Sequence, residues 1–441
     1  MGSVHILDAA GLGEQDPRAY IIEQLRQRIH LMPSMTQKLY DPWYNPDRPI
    51  WVRDGAFDLS DHVKTVDMVA PGGDIGLERV VGSIFEDRLP RDRPLWQLWV
   101  INDADRLRDA GELVVVWKLH HALMDGEASR DVFSHIADLD FARKPDAPPM
   151  VGAPPGAAAV ILSSVAVKLR RLRTLPWAIS QTARMVRESR TGPKSSAKSV
   201  TPRTSLNRTL SRSRVWSSAD MELAEFKQVA RHYGVTINDV LLCVVGGGLR
   251  AMFNARGEQV DQSLKAAMTM AIENFDKGRY ATESAVSAAI VSIDLLDTID
   301  DPVARLLAIR DHTAEAKVHN RSVGVNAFRV WTEFVAGPVL RSRALLAEHV
   351  RITELTRPLA NVVVSNHRQD YGPYRFGLMQ RAQYSVGPLN HDTGVTLIAC
   401  SYGGTMGVGL IACREQLAEP AEVTDAIVAQ FRALVESVDR Q

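Results

Sequence analysis

The stretch ELVVVWKLHHALMDGE, residues 112–127, decides the class of fold. Its first half is rich in valine and almost continuously apolar, the texture of a strand buried on both faces, and we read the strand as running through Leu123. Asp125-Gly126 then supplies a turn, and GEASRDVFSHIADL, residues 126–139, has helical spacing with an acidic residue near its first turn. Strand, loop and helix in that order form the unit of an α/β protein, and such proteins place reactive groups in the loops after strands. Neighbouring side chains on a strand point to opposite faces. If the strand persists through His120 and His121, one imidazole faces a cleft and the other packs behind it; periodicity does not say which. The Asp125 carboxylate can fold back onto the loop and hold a ring orientation.

Three uses of the pair compete. A histidine is often a satisfied, partly buried residue with no chemistry. His and Asp are also metal ligands, but adjacent strand histidines diverge and no third His or Cys stands at a convincing spacing, so no metal is expected. The third use is a general base, a neutral imidazole that takes a proton from a hydroxyl or amine as it attacks a carbonyl.

Other elements extend this pattern to both ends. Residues 16–29 read as a helix with Ile21, Ile22, Leu25 and Ile29 on one face, capped by Asp16 with Pro17 in the first turn. Residues 77–89 read as a second helix and PLWQLWVI, residues 94–101, as a strand. Prolines 145, 148, 149, 154 and 155 mark a boundary, followed by a basic stretch from Lys168 to Arg214 in which residues 160–190 have helical spacing, broken or kinked at Pro176. That stretch suits a solvated linker, or a surface for anionic lipid headgroups or ligand phosphates. Beyond it come two helices, MELAEFKQVARHYGV and TINDVLLCVVGGGLRAMFNARG, the second with Thr236 or Asn238 as cap. Strands follow at LKAAMTMAI, AVSAAIVSIDL and ANVVVSN, then a hairpin, GVTLIACSYGGTMGVGLIAC, turning at Gly403-Gly404, and a helix over 421–438. The organisation is therefore an N-terminal domain over 1–145, a basic crossover linker over 146–214 and a C-terminal domain over 215–441.

Composition narrows the class. A chain of 441 residues with 45% hydrophobic and 24% charged residues is a folded protein of two or three domains. A net charge of +0 argues against nucleic acid as partner. Three cysteines, Cys243, Cys400 and Cys413, without a CxxC pair, fit a reducing, cytoplasmic setting. There is no basic-then-apolar leader, Ile6 stands where a myristoylation motif needs Ser or Thr, and no run of 18 apolar residues occurs, so any membrane association is expected to be peripheral. GxSxG, P-loop, GxGxxG and HExxH motifs are absent. Gly246-Gly247-Gly248 lies inside a helix and suits close packing better than phosphate binding.

HHALMDG, residues 120–126, resembles the HHxxxDG motif of the CoA-dependent acyltransferase superfamily. RDRPLWQLWVI (91–101), WVRDGAFDLSDHV (51–63), TSLNRTLSRSRVW (204–216), VTINDVLLCVVGGGLR (235–250) and LANVVVSN (359–366) resemble, in order, segments of the bacterial wax ester synthase/diacylglycerol acyltransferase family. The resemblance implies a mixed-sheet α/β, two-domain, chloramphenicol-acetyltransferase-like architecture with a central channel. It implies transfer of a fatty acyl group from acyl-CoA, as substrate and without a further cofactor, to diacylglycerol or a long-chain alcohol at a membrane or lipid-droplet surface. By it, His121 is the base, no acyl-enzyme forms, Asp125 is chiefly structural, His120 and Gly126 support the motif, and Asn238, Asp239, Ser365 and Asn366 lie at the shared cleft. The sequence departs from the family pattern where a strand is expected between the LDA start and the first helix, in MAIENFDKGR (270–279), and in SNHRQDYGP (365–373), where SNVPGP is usual. An acyltransferase with another hydroxyl or amine acceptor, and a non-catalytic acyl-CoA or lipid binder, remain as alternatives.

Overall fold

The structure is a computed structural model that describes residues 1–103, 105–123, 132, 134–137, 154–191, 200–271, 288–322, 334–335, 337–349, 351, 354, 356–369 and 372–440. Among these, two six-stranded mixed sheets carry the fold. The strands are β1 (Gly2–Asp8), β2 (Gln37–Tyr40), β3 (Ile50–Arg53), β4 (Val63–Asp67), β5 (Trp96–Asn102), β6 (Glu112–Leu119), β7 (Arg214–Glu222), β8 (Lys265–Ala271), β9 (Ala288–Asp294), β10 (Val362–Arg368), β11 (Tyr374–Arg375), β12 (Leu378–Val386), β13 (Val395–Tyr402) and β14 (Thr405–Cys413). The first sheet runs β11-β12-β1-β6-β5-β4, the second β7-β14-β13-β10-β8-β9, and β2-β3 form a separate hairpin. The helices used below are α1 (Pro17–Arg26), α2 (Gly73–Glu86), α3 (Ala157–Thr191), α4 (Leu223–Tyr233), α5 (Ile237–Ala255), α6 (Pro302–Ser322), α7 (Gly337–His349) and α8 (Ala421–Asp439).

The apolar texture of β6 has its expected cause. Leu113, Val115, Trp117 and Leu119 belong to a core shared with α1, while Val114 and Val116 belong to a second core shared with α2. Both faces are covered, so every residue from Leu113 to Leu119 is buried. The strand stops at Leu119, however, and 121–123 form a turn. The alternation expected through the two histidines therefore does not apply to them. Asp16 caps α1 by accepting from the Ala19 N–H at 2.8 Å. No strand lies between Asp8 and α1, where a short 3-10 turn (Ala9–Gly11) stands. Residues 2–8, to which no element was assigned from sequence, form β1 near the middle of the first sheet.

In the second sheet, β13 and β14 form the expected hairpin, with positive φ at Gly403 (59°) and Gly404 (94°). The glycine triplet of α5 is a packing device: an added Cβ would lie 3.0 Å from the Leu295 carbonyl at Gly246, 2.3 Å from the Gln430 side chain at Gly247 and 2.7 Å from Ile427 at Gly248. At Gly247 and Gly248, α5 thus leaves room for the Gln430 and Ile427 side chains of α8.

The division of the sheets does not follow the chain. β12, late in the sequence, pairs antiparallel with β1 and completes the first sheet. It also crosses the second sheet closely, since a Cβ at Gly407 or Gly409 of β14 would lie 2.9 Å from the Gln383 carbonyl or 2.4 Å from the Ser385 carbonyl. α3 continues through Pro176 without an interruption in its assignment. Lys168 donates to the Pro46 carbonyl (3.2 Å), and Arg171 pairs with Asp47 (3.0 Å), which moors α3 to the first domain.

Candidate active site

The loop after β6 is held from beneath. The His120 N–H donates to the Leu95 carbonyl (3.0 Å), and the Leu123 N–H donates to the His120 carbonyl (2.9 Å). Leu95 belongs to the PLW segment. The adjacent Trp96 is buried, donates Nε1–H to the Met35 carbonyl (2.8 Å) and stacks on His62 with ring centroids 4.4 Å apart. His62 Nδ1 meets the Trp96 carbonyl at 2.8 Å, and Trp117 and Phe376 extend the aromatic stack. The PLW and WVRDGAFDLSDHV segments therefore build the floor under the histidine loop. Lys118, on the other face of β6, donates to the Ile84 and Asp87 carbonyls, each at 2.5 Å, and so ties β6 to the C-terminal end of α2. Burial holds its ammonium down to about 8.

The two imidazoles differ. His120 Nδ1 accepts from the Ala122 N–H (3.1 Å), so in its neutral form the proton sits on Nε2. Desolvation, helped by positive neighbours including Arg91 and His121, keeps its ring below the ordinary histidine range. His121 is exposed in the turn and makes no hydrogen bond to a described residue. Among the described residues, the His120 ring is used inside the loop and the His121 ring is not engaged. Asp125 and Gly126 lie outside the described residues.

In the second domain, Thr236 caps α5 in a reciprocal capping box with Asp239. The Asp239 Oδ2 accepts from the Thr236 N–H (2.8 Å) and hydroxyl (2.7 Å), and its Oδ1 from the Thr313 hydroxyl on α6 (2.7 Å). Buried and engaged at both oxygens, Asp239 serves the helix end rather than a ligand. Its neighbour Asn238 is exposed, and its Oδ1 accepts from Asn366 Nδ2 at 2.9 Å. The ND and SN segments, far apart in the chain, thus meet. Ser365 is half-buried beside them on β10.

The TSLNRTLSRSRVW segment has a structural task. Buried Asn207 donates to the Ala360 (2.9 Å) and Asp392 (2.7 Å) carbonyls and accepts from Asn361 Nδ2 (2.7 Å), while Asn361 accepts from the Lys265 N–H (2.9 Å). This pair fastens the returning linker to the start of β10 and to β8.

Sequence reasoning missed the polar groups that the crossover strand brings in. His5 on β1 is fully enclosed, with Ser3 (2.7 Å) on one ring nitrogen and Gln380 of β12 (2.8 Å) on the other. Burial, then Arg375, pushes it down to about 3. His367, at the end of β10, places Nε2 3.3 Å from the Ser385 hydroxyl of β12. Desolvation holds its ring below the ordinary range, and the residue keeps surface exposed to solvent. The only signal in the sequence was the departure at SNHRQDYGP. A separate open hollow of about 600 Å³ lies between 68–73 and 102–112, at the opposite end of β6, and Asp103, Asp105, Asp109 and Glu112 make it a poor host for phosphates.

The model of the wax ester synthase/diacylglycerol acyltransferase catalytic domain matches residues 1–241, and that of the C-terminal domain of the same family matches 285–435. A Mycobacterium tuberculosis protein named as a diacylglycerol O-acyltransferase is 29% identical over 429 residues, 95% of this chain and 82% of the relative. Among solved structures, a wax ester synthase/diacylglycerol acyltransferase from Marinobacter aquaeolei VT8 is similar with a TM-score of 0.66 at 21% identity, covering 99% of this chain and 94% of that one. The X-domain from teicoplanin biosynthesis shares the fold more distantly, with a TM-score of 0.50 at 11% identity, covering 99% and 90%.

Proposed function

The chain belongs to the wax ester synthase/diacylglycerol acyltransferase family and is an acyl-CoA-dependent O-acyltransferase acting on diacylglycerol or an alcohol, and we propose that His121 is its general base. His121 takes the proton of the acceptor hydroxyl as its oxygen attacks the thioester carbonyl carbon. The tetrahedral adduct then expels CoA thiolate, which receives the proton back from the imidazolium. The observation that carries this reading is the contrast at the end of β6: the His120 ring is spent on the Ala122 N–H, and the exposed His121 ring is not spent on any described residue. Asp125 orders the loop, and Asn238 with Asn366 borders the cleft from the second sheet. No acyl-enzyme and no further cofactor are required. The three cysteines are buried, and the Cys400 thiol is pushed up to about 12 by burial, which speaks against a thiolate nucleophile.

The lipid acceptor is met at a membrane or droplet surface. No single helix among the described residues is long and apolar enough to cross a membrane. α3, however, exposes Leu162, Val165, Leu169, Leu172 and Ile179 at steps of three, four and seven along one side, with exposed Arg170 and Arg173 close by. An exposed apolar stripe flanked by arginines suits an anionic lipid interface. Radiolabelled oleoyl-CoA incubated with dioleoylglycerol or hexadecanol tests the transferase reading. Labelled triacylglycerol or wax ester is expected; bound acyl-CoA with no ester from either acceptor would overturn it.

A further inference from the structure

Strand alternation separates the two faces of β10. Val362, Val364 and Asn366 point toward α5: the two valines join its core and Asn366 reaches Asn238. His367 points the other way, toward the first sheet, where Ser385 meets its Nε2 at 3.3 Å. Its other nitrogen, Nδ1, has no hydrogen-bond partner among the described residues, and the residue keeps solvent-accessible surface. The ring is desolvated and so neutral near pH 7, able to donate from one nitrogen and accept at the other.

Its position relates it to the histidine loop. Ser385 precedes Val386, which pairs with Gly2, and Gly2 pairs in turn with Lys118, two residues before His120. His367, which meets Ser385 beside Val386, and the His120-His121 loop, which follows Lys118, therefore lie toward the same end of the first sheet, on either side of β1. With β1 between them, His121 serves the reacting hydroxyl and His367 is placed to meet a second polar atom of the same acceptor.

We propose that His367, oriented by Ser385, is an acceptor-selecting residue whose Nδ1 hydrogen-bonds a second oxygen of the acceptor, favouring a hydroxyl lipid that carries ester groups over a plain long-chain alcohol. This rests on the transferase reading above. The physical basis is asymmetric. A plain alkanol that fills the cleft displaces water from Nδ1 and leaves it unpaired, whereas a glycerolipid ester supplies a partner. Sites built to bond a polar group reject analogues that lack it far more strongly than apolar pockets reject an extra group.

The test compares kcat/KM for dioleoylglycerol and for hexadecanol in the full-length protein and in His367→Val, His367→Asn and Ser385→Ala. In His367→Val the ratio of the two is expected to fall about tenfold, while His367→Asn, which keeps a hydrogen-bonding tip, retains most of it. Ser385→Ala gives an intermediate ratio. An unchanged ratio, or an equal loss on both acceptors, overturns the proposal. A second readout does not depend on turnover: the ¹⁵N imidazole resonances of His367, assigned by their loss in His367→Asn, are followed as each acceptor is added in detergent micelles. Movement with dioleoylglycerol and not with hexadecanol supports the proposal; equal movement or none with either refutes it. Absence of both ester products in the wild-type protein would instead refute the transferase reading, and the titration would still decide the role of His367.

Discussion

Two histidines adjacent in sequence meet different fates within one turn of chain. His120 gives its N–H to Leu95 and its Nδ1 lone pair to Ala122, and His121 gives neither of its ring nitrogens to a described residue. Sequence could say that the pair would diverge, for the wrong local reason, since β6 ends one residue before them. His5 shows what sequence cannot supply at this scale. A histidine in GSVHILD looks ordinary, but its partner Gln380 lies 375 residues away, and the pair is buried together. Its consequence is a pH dependence. Enclosed first by burial and then facing Arg375, His5 stays neutral in the folded protein down to about 3, whereas the unfolded chain binds a proton below the ordinary 6.5. The unfolded state then holds one proton more, so stability falls as pH drops from about 6.5 toward 3, by about 1.4 kcal/mol per pH unit from this residue. Denaturation midpoints between pH 4 and 7 are expected to slope less steeply in His5→Asn than in the wild type; parallel slopes would show that His5 is not the source.

At the scale of elements, legibility followed the visibility of a local cause. α5 could be read because its capping box and apolar face lie within its own sequence, and the β13-β14 hairpin because both turn glycines are adjacent. β12 was missed because LMQRAQYSV carries Gln380, Arg381 and Gln383, polar residues unusual in a buried strand; Gln380 is met by His5 of β1, and Arg381 by the Asp8 and Glu112 carboxylates. α3 was read as basic, and its structure adds the apolar stripe: Leu162 is 69% exposed and Leu169 58%. If this stripe meets lipid, changing Leu162, Val165, Leu169 and Leu172 together to serine should lower co-sedimentation with anionic vesicles by at least about tenfold, because each apolar side chain withdrawn from water contributes about 1.5–3 kcal/mol. Raised salt should weaken what remains, through Arg170 and Arg173. Unaltered sedimentation of the serine variant would assign the stripe elsewhere.

For the whole molecule, the two-sheet architecture was foreseeable from alternating strands and helices, but its closure was not. The second sheet joins the first through β12, and the fit depends on Gly407 and Gly409, whose missing side chains let two backbones meet. A valine at 409 would force its Cβ to within 2.4 Å of the Ser385 carbonyl. Gly409→Val should therefore cost about 1–3 kcal/mol by overpacking and displace Ser385 together with the end of the cleft. Thermal unfolding and acyl-transfer assays should both register the change; wild-type stability and activity would show that the close crossing is not needed.

The chemical claim rests on His121 and is tested most directly by acyl transfer from oleoyl-CoA to dioleoylglycerol in His121→Ala beside His120→Ala. Removal of a general base predicts a fall in kcat of about 10²–10⁴-fold for His121→Ala, with a smaller loss for His120→Ala, whose ring only braces the loop. Equal rates for wild type and His121→Ala would contradict the account.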